Sequence, residues 1–375
     1  MALKPLSLTE QTLFANLIQQ CLDADFDETF PENGSFTQLK RRGRAYWYYQ
    51  GYTPARSSDE KGRRSAKYVG PVDDPDVTAR IEAFQNLKSS YQERRRLVSM
   101  LRSAGLPAPP AVGGDLVETL WKGGIFRLRG VLIGTVAFQA YAGLLGFRFP
   151  EAQIMTMDVD LAQFHSISAM VDDSIPPILP ALKGVDDTFR SVPATDGSGA
   201  STAFVNRTGF RLDFLTPNDG SDDFTGHPAD MPALGGAGAQ PLRYLGFLIH
   251  DPVWSVLLHK AGVPVRVPAP ARFAIHKLIL NEVRKTDPLG LAKTRKDLRQ
   301  ADTLMIAMAG ARQHEALGLA WLEAWDEGPK WRRGLKQALG GLSSAARDAL
   351  AVGVEAAADR DGRKLADVGY SFLRP

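Results

Sequence analysis

The chain has 375 residues and a net charge of +3, from 45 Lys and Arg against 42 Asp and Glu. This length is more than one simple core usually fills, so we expect two or three domains. The single cysteine, Cys21, excludes an intramolecular disulfide and a cysteine-based metal site. No apolar run reaches membrane-spanning length and the N-terminus lacks a signal-peptide pattern, so a cytoplasmic location is expected.

Two helices are predicted in the N-terminal region. Residues 6–23 keep an apolar stripe at helical spacing, and Ser7 with Glu10 has the pattern of a capping box. Cys21 belongs to that stripe, so we expect a buried, inert thiol. A longer apolar stripe predicts a second helix over residues 77–104.

Between these helices, residues 39–68 carry nine positive side chains and only two negative ones. Two strands are predicted there, at about 44–50 and 65–69, joined by a polar loop. Aromatic residues are interleaved with the basic ones: Tyr46, Trp47, Tyr48, Tyr49, Tyr52 and Tyr68. Basic side chains bind phosphates and aromatic rings stack on bases, which favours a nucleic-acid-binding surface. The alternative is a solvated hairpin whose aromatic rings pack on the core. The candidate binding residues are Lys40, Arg41, Arg42, Arg44, Arg63, Arg64 and Lys67.

A strand, a tight turn and a helix are predicted around Gly134. Residues 131–133 form a short apolar run typical of a buried strand, and apolar residues at helical spacing follow the turn. Glycine permits the sharp turn and the close approach of a ligand. The free N–H groups of the helix N-terminus, beside Gly134 and Thr135, can hold a phosphate.

Three aspartates follow on predicted strands. Asp158 and Asp160, at the end of one strand, are two residues apart and therefore share a face, and Asp213 lies in a later strand with alternating polarity. Carboxylates this close repel each other unless a cation lies between them, and Mg²⁺ suits oxygen ligands of this kind. Three aspartates from neighbouring strands can hold two metal ions for displacement at phosphorus. Alternatively, the pair only ends a strand, and Asp213 pairs with Arg211 or Arg207.

Two segments are predicted to separate three regions: a Pro-rich linker at 106–110 and a Gly-rich loop at 233–240. The regions are an N-terminal helical region with the basic aromatic hairpin (1–110), a catalytic core (111–235), and C-terminal strands and helices (236–375). In the last region, 244–258 and 263–267 are predicted to contain short strands, and the chain is predicted to be helical from about 292 onward.

The ordered set of Gly134-Thr135, Asp158-Val159-Asp160 and the later Asp213 resembles the polymerase β-type nucleotidyltransferase superfamily. Residues 273–278 and 295–302 are similar to stretches of one subgroup, the bacterial nucleotidyltransferase-fold proteins related to the abortive-infection and toxin enzymes of the AbiEii/MenT kind. The usual pair at the turn is Gly-Ser or Gly-Gly, so this chain departs from the pattern by one methyl group.

This resemblance covers roughly residues 110 to 310, and it implies both a fold and an activity. The fold class would be α/β (α+β), with a mixed sheet core and helical additions at both ends. The implied activity is transfer of a nucleotidyl group from an NTP, with Mg²⁺ or Mn²⁺, to an acceptor hydroxyl, most plausibly of RNA or a tRNA end. An antitoxin protein is an implied partner. The implied metal-binding and catalytic residues are Asp158, Asp160 and Asp213, and the implied nucleotide-binding residues are Gly134, Thr135, Lys277 and Asp297.

Two alternatives to this activity remain open. One is a transferase that acts on a small-molecule acceptor such as an antibiotic, although such an acceptor does not need a basic aromatic surface. The other is a nucleic-acid-binding protein without turnover, against which the presence of all three aspartates argues. Lys277 can also be an ordinary solvated helix residue, and Asp297 can simply pair with Lys296 or Arg299.

Overall fold

The computed structural model describes residues 3–23, 34–41, 44–53, 63–150, 154–170, 173–193, 200–218, 227–283 and 290–374. Its helices are α1 (Leu8–Leu22), α2 (Pro75–Ser103), α3 (Ala111–Lys122), α4 (Gly134–Leu145), α5 (His165–Met170), α6 (Ile178–Val185), α7 (Leu245–Ile249), α8 (Pro270–Val283), α9 (Gly290–Gly310), α10 (His314–Asp326), α11 (Pro329–Ala338) and α12 (Ser344–Arg360). Its strands are β1 (Lys4–Pro5), β2 (Ser35–Arg41), β3 (Arg44–Thr53), β4 (Arg63–Pro71), β5 (Val131–Ile133), β6 (Phe147–Arg148), β7 (Asp158–Ala162), β8 (Arg190–Val192), β9 (Ala203–Val205), β10 (Arg211–Pro217), β11 (Ala229–Asp230), β12 (Gly238–Leu242), β13 (Val253–Leu257) and β14 (Val263–Val267).

The central sheet is mixed, as the predicted α/β fold class requires. Its main path is β11-β12-β10-β7-β5, and β9 pairs with both β10 and β8. Strands β7, β10 and β12 run parallel, whereas β5 is antiparallel to β7. The side chains that alternate with the aspartates, such as Val159 and Leu212, are fully buried, so one face of these strands rests on the core.

Helix α4 connects the sheet to the C-terminal helices. Phe138 and Tyr141 are fully buried, and their rings lie 6.1 and 5.2 Å from the ring of Phe273 in α8. The Tyr141 hydroxyl donates to the Pro268 carbonyl at 2.8 Å, which satisfies a polar group inside the core. This packing fixes the turn at Gly134 relative to α8.

The C-terminal region is helical, as predicted. Trp321 and Trp325 of α10 stack at 5.8 Å, and their indole N–H groups donate to the carbonyls of Val368 and Asp367. These hydrogen bonds let two large aromatic side chains be buried without an unsatisfied donor. Within the described part of the chain, no helix is long and apolar enough to cross a membrane.

The N-terminal predictions are confirmed for the helices and are incomplete for the strands. The capping box at Ser7 and Glu10 is present, Cys21 is buried, and α2 matches the predicted long helix. The predicted hairpin, however, is a three-stranded antiparallel sheet, because β2 adds to the free edge of β3.

Two further predictions are wrong in detail. Residues 245–249 form the short helix α7, where a strand was predicted, and a strand begins only at Val253. A short apolar run fits either a buried helix or a buried strand, so periodicity cannot separate them. In addition, Asp158 and Asp160 begin β7 and do not end a strand. Apolar Leu161 and Ala162 continue the strand into the core beyond them.

Candidate functional site

The turn between β5 and α4 is built on Gly134. Its φ of +68° is left-handed, a conformation that other residues adopt only with strain. A Cβ placed on this residue would lie 2.2 Å from Oδ2 of Asp160. Glycine is therefore required here both by the backbone and by the carboxylate that packs against it. Thr135 follows as the second residue of α4 and is half-buried.

Strand register brings the three predicted aspartates to one edge of the sheet. Asp160 is paired directly with Asp213 across the parallel strands β7 and β10, and with Ile133 on the other side. Asp158 is paired with Arg211, and these are the first residues of β7 and β10. All three aspartates are half-buried, and the residues between them are buried in the core. The Asp160 carboxylate thus lies beside Gly134 at the N-terminus of α4.

The electrostatics of Asp160 are strongly perturbed. Burial, followed by the negative charges of Asp158 and Asp213, raises the pKa of the Asp160 carboxyl to about 7. The charges of Lys277 and Lys293 oppose this shift without cancelling it. A carboxyl group this destabilised in its ionised form is what a bound cation would relieve.

The two neighbouring aspartates are held by hydrogen bonds to local partners. Thr156 donates from its hydroxyl to Asp158, and Arg211 Nε lies 2.9 and 2.7 Å from the two carboxylate oxygens of Asp213. The predicted alternative partner, Arg211, is therefore present, and it is about half exposed. Because the Arg211 end of the pair is open to solvent, the pair contributes little and a ligand can displace the arginine at small cost.

A basic face of α8 and α9 borders the aspartates. Lys277 forms a buried ion pair with Asp297 at 2.6 Å, and its ammonium lies 5.0 Å from the ring centroid of Phe273. Lys277 is therefore not an ordinary solvated residue, and the buried Asp297 pairs with it across the two helices. Lys296 donates to the Met155 carbonyl at 2.8 Å, and burial lowers its pKa while Asp158 opposes that effect.

Lys293 and Lys296 also belong to this basic face, although they were not predicted from the sequence. Both lie close enough to the aspartates to affect, or to feel, their charge. The sequence does show their helical spacing, because positions 293, 296, 297 and 300 recur on one side of α9. Lysines are so often solvated that spacing alone does not single them out.

A second group of ligand-type side chains lies outside this site. Among the described residues, Asp115, Glu118 and His259 form the group whose ligand atoms all lie within 4.8 Å of one another. The Lys260 ammonium, however, is 2.6 Å from a carboxylate oxygen of Asp115 and of Glu118. Burial raises the pKa of Asp115, but hydrogen bonds from Lys260 and His259 outweigh it, and the pKa is lowered. This network is already neutralised, and it joins α3 to the β13–β14 turn.

A cleft of about 690 Å³ opens at the opposite ends of the parallel strands. Phe164, Asn218 and Tyr244 line it, and they follow β7, β10 and β12 respectively. The aspartates lie at the starts of β7 and β10, so this cleft is not part of the candidate site.

The part of the chain from α3 to α10 is similar to a known protein family. The profile described as Nucleotidyltransferase matches residues 112–326, which is more than half of the chain. The chain belongs to the nucleotidyltransferase family. The matched region contains the turn at Gly134, all three aspartates and the Lys277–Asp297 pair. Searches of curated proteins and of solved structures give no significant match.

Family membership gives the protein a general chemistry. Nucleotidyltransferases transfer nucleotidyl groups, and they generally use an NTP and a divalent metal. The general part of the resemblance, to a nucleotidyltransferase superfamily, is therefore confirmed.

Six of the predicted nucleic-acid-binding residues of the nucleotidyltransferase lie in the N-terminal sheet. Lys40, near the end of β2, and Arg44, the first residue of β3, are exposed. Arg42 lies outside the described residues. Only the backbone is described for four others: Arg41, Arg63, Arg64 and Lys67.

Proposed function

We propose that this nucleotidyltransferase is a Mg²⁺-dependent enzyme, also served by Mn²⁺, that transfers a nucleotidyl group from an NTP to an RNA hydroxyl. The observation that carries the proposal is the pairing of Asp160 with Asp213, next to a glycine turn that opens a helix. The donor set fits a hard cation, because Asp158, Asp160 and Asp213 offer only oxygen ligands. The raised pKa of Asp160 supports the same assignment, since a cation would offset the repulsion.

The roles of the protein side chains follow from their positions. Asp158 and Asp160 would hold the metals, and Asp213 would join one of them once Arg211 is displaced. Asp213 also accepts the proton of the attacking hydroxyl. The hydroxyl oxygen then bonds to the α-phosphorus, the bond to the pyrophosphate oxygen breaks, and pyrophosphate leaves. When bound, the metal supplies charge stabilisation for the phosphates in this displacement.

The remaining residues bind the NTP. The N–H groups at Gly134 and Thr135 begin a twelve-residue helix, so they are suited to the β- and γ-phosphates. Lys277 balances the phosphate charge from α8, and Asp297 orients its ammonium through their 2.6 Å contact. Lys293 and Lys296 extend the basic face of α8 and α9 and would join the nucleotide-binding residues.

The RNA acceptor is supported by the N-terminal sheet. A small-molecule acceptor does not require three strands without a single Asp or Glu and with many Lys, Arg and Tyr. By the resemblance to the AbiEii/MenT group, a tRNA end is the favoured acceptor and an antitoxin protein the favoured partner. A small-molecule acceptor remains the second candidate function.

The test is transfer itself. We expect that incubation of the protein with total RNA and one of the four NTPs, labelled at the α-phosphate, will place label on RNA in the presence of Mg²⁺. The readout is a denaturing gel, with the Asp160→Asn variant as the matched control. Label on a small molecule but not on RNA would favour the second candidate, and no label with any NTP would contradict both.

Mg²⁺ and an NTP should stabilise the protein cooperatively. We expect the melting temperature to rise more with both ligands than the sum of the separate rises, because the phosphates complete the coordination of a metal held by the aspartates. The measurement is thermal melting with Mg²⁺, with an NTP in EDTA, and with both. NTP stabilisation that is unaffected by EDTA would contradict the metal site.

A further inference from the structure

The three-stranded N-terminal sheet has two different faces. On one face Tyr49 is only 5% exposed, and it contacts Phe36 edge-on at 5.4 Å and packs with Val69. A Cβ on Gly70 would lie 2.6 Å from the Val77 side chain, so the start of α2 rests against this face. This face is covered by protein.

The other face carries an open group of tyrosines, which we call the tyrosine face: Tyr46, Tyr48 and Tyr68. Tyr48 is paired with Tyr68 across β3 and β4, and the ring of Tyr68 lies 5.6 Å from Tyr48 and 5.9 Å from Tyr46. Tyr68 is 53% exposed, and Leu39, paired with Tyr46, is 38% exposed. Large apolar surface of this kind, left open on a sheet, marks a binding surface.

Charge on this sheet has a single sign. None of β2, β3 and β4 contains an Asp or Glu, whereas Lys and Arg occur in all three. Arg44 alternates with Tyr46 and Tyr48 along β3, so it lies on the tyrosine face, and it is exposed. Its ladder partner is Arg41. Lys40 is paired with Ala45 and therefore lies on the other face. Lys40 and Arg44, both predicted to bind phosphates, thus lie on opposite faces of the sheet.

We infer that the tyrosine face binds single-stranded RNA, with bases stacked on Tyr68 and its neighbours and with phosphates contacted from Arg44. Aromatic rings on an antiparallel sheet bind bases only when those bases are unpaired, because a duplex hides their faces. The absence of acidic residues from the strands matches a polyanion. This inference rests on the proposed RNA acceptor, and it assigns that acceptor a binding surface on the N-terminal sheet.

The experiment compares three chemistries at one position. Binding of labelled oligouridine to the full-length protein is followed by fluorescence anisotropy in EDTA without NTP, for Tyr68→Phe and Tyr68→Leu. Phe keeps the ring, whereas Leu keeps apolar area without a π face. We expect Leu to weaken binding at least about fivefold, the equivalent of the roughly 1 kcal/mol lower bound for stacking, and Phe to stay within about twofold.

A fully paired RNA duplex serves as the matched ligand, since its phosphates are present and its base faces are not. The affinity for the duplex should change less than about twofold in Tyr68→Leu. Arg44→Ala should weaken the binding of both RNA ligands and reduce the salt dependence of that binding. Thermal melting of each variant confirms that it is folded. Any of three results would overturn the inference. These are an equal loss of oligouridine binding in Tyr68→Phe and Tyr68→Leu, an equal effect of Tyr68→Leu on duplex and single-stranded RNA, and unchanged oligouridine binding in Tyr68→Leu.

Two further outcomes separate this inference from the proposed function. If the protein binds polyglutamate but not oligouridine, the face serves an acidic protein and the inference is wrong. If oligouridine binding depends on the Tyr68 ring while no NTP labels any RNA, the tyrosine face stands and the proposed transfer to RNA fails.

Discussion

The Asp160→Asn variant should lose at least about 100-fold of nucleotide transfer, equivalent to roughly 2.7 kcal/mol of transition-state stabilisation. The amide keeps the size of the side chain and its place opposite Asp213, but it removes one charge from the metal site. A neutral amide is a poorer Mg²⁺ ligand, and phosphoryl-type transfer depends mainly on positioning and charge stabilisation. The measurement is the rate of label transfer at saturating Mg²⁺ and NTP.

The same substitution should make the metal-free protein more stable above neutral pH. Because the folded-state pKa of Asp160 is raised from 3.8 to about 7, the folded protein binds more protons than the unfolded chain between those values. Its stability therefore falls as pH rises through that window, and asparagine does not titrate. In EDTA at about pH 8 the gain should be at most about 4 kcal/mol, at roughly 1.4 kcal/mol per pKa unit, and it should vanish below about pH 4.

Asp115→Asn is the control for the location of the metal. Asp115 belongs to the other acidic group, in which Lys260 contacts both carboxylates and Lys122 contacts Glu118. We expect this variant to lose some stability, because an ion pair of the folded state is lost. It should keep the rate of nucleotide transfer within about threefold of the parent. A folded Asp160→Asn protein with parental transfer, beside an inactive Asp115→Asn protein, would move the metal to the other acidic group.

Local patterns were sufficient to predict the parts of this site that depend on neighbours in sequence. Two aspartates separated by one residue share a strand face whatever the tertiary fold, and the structure has them so on β7. The glycine between β5 and α4 was predictable from the apolar run before it and the helical spacing after it. The capping box at Ser7 and Glu10 is another local device, and it is present.

Features that depend on distant residues were not predictable in the same way. The Lys277–Asp297 ion pair joins two helices, and no single-helix pattern shows that both side chains are buried. Strand β2 (Ser35–Arg41), which was not predicted, forms because β3 offers a free edge. That edge is a property of the sheet and not of the β2 segment. Which face of the sheet stays open depends on the position of α2, so the separation of Lys40 from Arg44 also required the structure.

The turn at Gly134 should not tolerate a side chain. Gly134→Ala should reduce transfer at least about 100-fold and destabilise the protein by more than about 2 kcal/mol. An alanine at φ +68° carries a left-handed backbone cost of about 1–2 kcal/mol. Its methyl group would also lie 2.2 Å from Asp160 Oδ2, so the carboxylate has to leave its present position beside the turn. A displacement of about 1 Å in such a site costs about 100-fold in rate.

Gly362→Ala separates the two causes. Gly362 has nearly the same backbone angle, φ +64°, but a Cβ there would meet nothing within 4 Å. This control should therefore show the backbone cost of about 1–2 kcal/mol and should keep parental transfer. The excess loss of stability in Gly134→Ala, measured by denaturant unfolding, then reports the contact with Asp160 alone. If both variants lose the same stability and both keep transfer, the packing of Asp160 against the start of α4 does not position the carboxylate, and the role of the turn in the site is wrong.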